Sequence, residues 1–160
     1  MRAATAASGA IAGLVAAALI VACSKQTPRT QSDERFVKLG LITQLWMQIR
    51  GFRAEAGMEL DPPQALELQW RGKTVNEASR VCPDGHDVPK ACGEVCSLAE
   101  NICDNAEAIC GLADELGKDD RLAQEKCTSA KASCREAKQR CCACSAAPPD
   151  ASVPPAGVKP

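Results

Sequence analysis

The chemistry this chain could do rests first on its cysteines, of which it has 11. A cysteine can form a disulfide, hold a soft metal as thiolate, or act as a redox group or nucleophile. Spacing selects among these. Cys96, Cys103 and Cys110 lie seven apart, as do Cys127, Cys134 and Cys141, and both trios share one centre near Lys118–Asp119. Residues seven apart on one helix are about 10 Å apart along its axis. That is too far for a disulfide, so links within a trio are excluded. Two antiparallel helices folded at the shared centre bring Cys110 to Cys127, Cys103 to Cys134 and Cys96 to Cys141. Continuing outward, the same ladder pairs Cys92 with Cys144 and leaves Cys82 for Cys142.

Other reactive constellations are sparse. His86 is the single histidine. It stands between Asp84 and Asp87 in a loop, with no second imidazole, and reads as an exposed side chain rather than a base or ligand. Cys141-Cys142-Ala143-Cys144 contains a C-x-x-C, but redox pairs sit at helix starts, where the dipole lowers the thiol pKa. This one falls at a helix end. No catalytic residue, cofactor or metal site is therefore assigned. The alternative is a thiolate site for Cu(I) or zinc: helices lined with reduced cysteine resemble exported copper-storage bundles, and Cys92-x-x-x-Cys96 has suitable local spacing. Mirror-related rows and cysteine parity favour disulfides.

Behind the cysteines the pattern is helical. Ala123, Cys127, Ala130, Cys134, Ala137 and Cys141 recur at alternating four and three spacing, a heptad seam of small residues. Small residues let two helices close to disulfide distance. The first helix carries Val95, Leu98, Ile102, Ile109, Leu112 and Leu116 beside its cysteines, an aliphatic edge that needs another cover. Gly117 can take the left-handed position after a helix, and Asp119 or Asp120 can cap the next. From Lys90 to Lys118 there are six acids and two bases, and from Arg121 to Cys142 six bases and two acids. Opposite charge favours pairing of these two helices. Lys126, Lys131, Arg135, Lys138 and Arg140 are accordingly read as half of that charge match plus a solvated face, not as a patch for anionic glycan or lipid.

The cover is expected from the N-terminal half. From Asp33 to about Gly57 a helical pattern runs through Phe36, Leu41, Leu45, Ile49 and Phe52, flanked by Ile42 and Trp46, with Ser32 as cap. Leu41 to Phe52 is the stripe expected to face the hairpin. Asp61-Pro62-Pro63 breaks this helix and starts a shorter one bearing Ala65, Leu66 and Trp70, and Thr74 to Val81 reads as a further turn. No stretch alternates long enough for a strand.

Compartment is read from the other end. Arg2 followed by the uncharged run Ala10–Ala22 has the form of a signal peptide, too short to span as a helix. It ends Ile20-Val21-Ala22-Cys23, which resembles the bacterial lipobox; that resemblance implies cleavage before Cys23 and lipidation of its thiol. Removing Cys23 leaves an even ten cysteines, all between Cys82 and Cys144, the parity of an exported disulfide framework. Ser24, next to the lipid-bearing position, is compatible with outer-membrane sorting. Residues 23–32 read as a tether and 146–160, Pro- and Ala-rich, as a disordered tail. The remainder, on the order of 110 residues, is one domain of two parts, 33–81 and 82–145. With two Phe, two Trp and no Tyr, it needs staples. A net charge of −1 gives no long-range pull toward nucleic acid.

The segment Cys92–Cys144, with CSLAENICDNAEAICGLADELG and CTSAKASCREAKQRCC, also resembles cysteine-rich lipoproteins and secreted proteins of myxobacteria that share a C-x6-C helical hairpin. The resemblance carries over no site residues. The expected protein is thus all-α: a disulfide-laddered antiparallel hairpin packed against an N-terminal helix. It is tethered to the bilayer through Cys23 in a bacterial envelope, on an outer membrane, with a structural or interaction role toward an envelope protein or glycan and no enzymatic activity.

Overall fold

The computed structural model describes residues 30–146 apart from Asp84 and His86. The expected signal peptide, Cys23, most of the tether, His86 and all but the first residue of the expected tail lie outside the described residues. The described chain is all-helical: α1 (Gln31–Glu55), α2 (Gln64–Trp70), α3 (Val75–Ser79), a single 3₁₀ turn (Lys90–Cys92), α4 (Gly93–Leu116) and α5 (Arg121–Ala146).

The hairpin of α4 and α5 is the centre of the molecule. Its three inner rungs join Cys96 to Cys141, Cys103 to Cys134 and Cys110 to Cys127, each with Cα atoms 4.7 Å apart. Two outer links, Cys92–Cys144 and Cys82–Cys142, close its open end at 5.9 and 5.4 Å. Such separations need side chains no larger than the cysteines themselves between the axes. The Ala–Cys heptad of α5 meets this need, and α4 carries a matching one. There Ala99, Ala106 and Ala113 alternate with the cysteines and are fully buried, opposite the buried Ala137, Ala130 and Ala123. The seam is therefore a stack of alternating Cys–Cys and Ala–Ala layers. At the turn Gly117 takes φ +92°, ψ 163°, a backbone region open to glycine but outside the left-handed helical well. Asp120 caps α5, its carboxylate accepting from the Ala123 amide at 3.2 Å.

Helix α1 lies antiparallel to α4. Arg35 reaches Asp120 at 2.7 Å, Lys38 reaches Glu115 at 3.2 Å, and Asn105 donates to Gln48 at 3.1 Å. Its buried line is Ile42, Trp46, Ile49 and Arg53, and the three apolar members share one core with Ile102 and Ile109. The expected face is thus rotated by about one position. Leu45 and Phe52 only flank it, and Leu41 is exposed. The expected cap moves too. Thr30, not Ser32, starts α1, because Thr30-x-x-Asp33 forms a reciprocal capping box whereas three residues beyond Ser32 stands Arg35, which cannot accept the return bond. The same box, Thr74 with Glu77, starts α3.

The corrected face has a direct consequence. Ile49→Ala is expected to destabilise the domain by about 2–5 kcal/mol, the cost of emptying a closed site. Leu41→Ala should cost under about 0.5 kcal/mol, as surface changes do. Guanidinium unfolding of the two variants with disulfides intact distinguishes them, and equal costs would mean that α1 sits differently on α4.

Candidate functional site

The five basic residues of α5 singled out above do not form one patch. Lys126 lies over the Trp46 ring of α1 at 4.8 Å. Lys131, nearly buried, donates to the Lys73 carbonyl at 2.7 Å. Arg135 donates to the Arg80 carbonyl at 3.0 Å and sits 5.3 Å over Trp70. Arg140 donates to the Ala56 carbonyl at 2.9 Å. Only Lys138 pairs with an acid of α4, Glu100. The expected charge match between the two hairpin helices is thus mostly absent as direct contacts. Disulfides already hold those helices together, and the α5 cations instead bracket the N-terminal half by hydrogen bonds to its free carbonyls and by stacking on its tryptophans.

Sequence reasoning missed Arg53. It is fully buried, donates from Nε to the Glu59 carbonyl at 2.8 Å, and donates from Nη2 to the Glu136 carboxylate at 2.9 Å. It follows Trp46 and Ile49 on the same helical stripe. An arginine at a core position of that stripe was the available signal, since a charge there survives only when paired.

A groove of about 1030 Å³ runs between the α2–α3 segment and the turn end of the hairpin. Its walls carry Glu67, Arg71, Lys73, Asp114, Lys126 and Lys131. Burial holds Lys131 below the ordinary lysine range, against the pull of Asp114 and Glu77. Its ammonium is spent on Lys73, and Glu67 accepts from the Ser129 hydroxyl at 2.6 Å. The sulfurs at the groove, Cys110 and Cys127, are joined to each other. Among the described residues no group of three or more His, Cys, Asp or Glu side chains could hold a metal ion. What the groove offers is mixed charge on its walls.

No protein-family model, curated protein or solved structure matches this chain. The functional reading therefore rests on geometry. Five disulfides point to an oxidising, extracellular or envelope setting. No helix among the described residues is long and apolar enough to cross a membrane.

Two carboxylates couple this scaffold to pH. The Arg35 guanidinium, and then the Ala123 amide, hold Asp120 below its ordinary value of 3.8. The Thr74 backbone and hydroxyl likewise hold Glu77 below 4.5. A carboxyl held lower in the folded state stabilises the fold above its unfolded value, and that contribution disappears as pH falls through its folded value. Denaturant midpoints are accordingly expected to fall below about pH 4. Asp120→Asn should give a shallower fall, and an unchanged profile in that variant would remove Asp120 from the account.

Proposed function

We propose that this protein is an exported, lipid-tethered structural or interaction module. In this reading it is a stiff helical body held at a bacterial envelope membrane, on the outer-membrane side, through acylated Cys23, and it engages an envelope protein or glycan without catalysis. The observation that carries the reading is the covalent ladder. Ten cysteines are consumed in five cross-links; three are nested rungs at one spacing that lock α4 to α5, and two tie the segment before α4 to the end of α5. This is investment in rigidity, and the bonds endure only outside reducing compartments. The signal-like N-terminus, the lipobox-like Ile20–Cys23 and the likeness to cysteine-rich myxobacterial lipoproteins support the same assignment.

The test is mass spectrometry of protein taken from the envelope. Its N-terminus is expected at an acylated Cys23, with no free thiol among the other ten cysteines. Cys23→Ala should accumulate as unprocessed precursor. A free N-terminus elsewhere would end the lipoprotein reading. Ten free thiols with bound copper or zinc would replace the structural role with thiolate metal binding.

A further inference from the structure

Helix α1 buries one face against the hairpin, and its opposite face is uncharged and carries exposed apolar side chains. Opposite its buried line stand Phe36, Val37, Gly40, Leu41, Thr43, Gln44, Met47, Gly51 and Ala54, every one exposed, with Gln48, which accepts from Asn105 of α4, at the edge of this face. None is charged, although charged residues make up 24% of the chain. Phe36 is 79% and Met47 56% exposed. At 3.6 residues per turn these positions fill an arc of about 160° and a strip about 28 Å long. Covering an exposed apolar strip of this kind is favourable, and such strips mark interaction sites.

Along the strip, large and small residues are arranged about a local centre between Thr43 and Gln44. Folding the sequence on that centre sets Phe36 against Gly51, Gly40 against Met47, and Thr43 against Gln44. No atom outside the helix's own nearby backbone lies within 4 Å of where a side chain at Gly40 or Gly51 would begin, so both positions are open to an incoming side chain. We infer that the occupant of this face is a second copy of the chain, its α1 antiparallel to the first across a twofold axis at Thr43–Gln44. Each Phe36 would fill the space over the partner's Gly51, and each Met47 that over the partner's Gly40. A twofold interface requires self-complementarity of this form. The acids Asp33 and Glu55 close the strip at its ends, where water screens them.

Glycines decide between a second copy and a lipid surface. Against lipid they contribute no apolar area, whereas between helices they let the axes close. Area sets the strength. A strip about 28 Å by about 12 Å covers on the order of 400 Å² per copy, about half of the roughly 800 Å² per partner of a standard interface. The dimer is therefore expected to be weak in solution, dissociating in the micromolar range or above. Confinement of the copies to one membrane would raise their effective concentration. The inference names the partner for the interaction role proposed above. It is tested without the lipid, so its failure would leave the envelope assignment standing.

The experiment is sedimentation of the processed chain from residue 23, with Cys23→Ser, at about 10–300 µM. A monomer–dimer equilibrium is expected. Phe36→Glu and Gly51→Lys should each weaken association at least tenfold with unchanged circular dichroism. Phe36→Glu/Gly51→Lys, which faces each glutamate with a partner lysine twice per dimer, should associate more tightly than either single variant. Met47→Glu supplies an independent disruption. A wild-type monomer throughout the range overturns the proposal, as does a dimer that Phe36→Glu and Met47→Glu leave intact. Wild-type binding to phosphatidylethanolamine–phosphatidylglycerol vesicles, lost in Met47→Glu while sedimentation shows only monomer, would assign the face to lipid instead.

Discussion

Reducing all five disulfides under otherwise native conditions is expected to abolish the cooperative unfolding transition. The reason lies in what the seam contains. Six alanines and six cysteines separate α4 from α5, and an alanine methyl buries little area. The innermost rung encloses a separation of 17 residues, worth about 3 kcal/mol in the chain-entropy model. With it closed, each further rung closes a ring of seven residues from either helix, worth about 3 kcal/mol again. Three rungs thus supply about 9 kcal/mol, within the whole net stability of about 5–15 kcal/mol ordinary for a domain. Circular dichroism during heating, with and without a phosphine reductant, checks this. A reduced protein that still melts cooperatively within a few degrees of the oxidised one would mean that helix packing alone suffices.

The middle rung refines the test. Changing both Cys103 and Cys134 to Ala merges two rings into one, at about 2–3 kcal/mol, and should lower the melting temperature by about 10 °C. Cys103→Ala alone should be worse. It leaves the Cys134 thiol free, and whenever the helices open locally that thiol can attack a neighbouring rung and scramble the ladder.

Arg53→Met is the second large expectation, a loss of about 3 kcal/mol. Removing one member of a buried ion pair costs about 3–5 kcal/mol because the other charge is left unpaired. The lower end applies, since the Glu136 side chain is 24% exposed and water recovers part of its solvation. Methionine fills much of the arginine volume, so the loss reports the pair and the bond to Glu59 rather than a cavity. Arg53→Met/Glu136→Gln should cost less than Arg53→Met alone, because the stranded charge is gone. Guanidinium midpoints measured at pH 7 decide the matter. A single-variant cost under about 0.5 kcal/mol would mean that Arg53 is not closed off from water.

Arg53 also marks where reading residues in order stops being enough. The ladder is legible in sequence because a disulfide is a distance constraint: fixed spacing on regular helices, mirrored about one turn, leaves few pairings, and the Ala–Cys heptad states how near the axes come. The helices, the break at Pro62-Pro63 and the turn at Gly117 follow from local chemistry in the same way. The face of α1 does not. Ile42 and Trp46 compete with Leu41, Leu45 and Phe52 for the core beside Ile49, and periodicity weighs both stripes alike because each is apolar. Packing against Ile102 and Ile109, with the pairing of Arg53 to Glu136, selects the first, leaving Leu45 and Phe52 at the edge and Leu41 exposed. The α5 cations are a similar case. Their number is plain from the sequence, but their partners are mainly backbone carbonyls and tryptophan rings, which carry no charge pattern to read. Local rules thus determined the covalent frame of this protein, while the choice of what the frame buries and what it presents was made by tertiary packing, where the fit of whole surfaces outweighs the preference of any one residue.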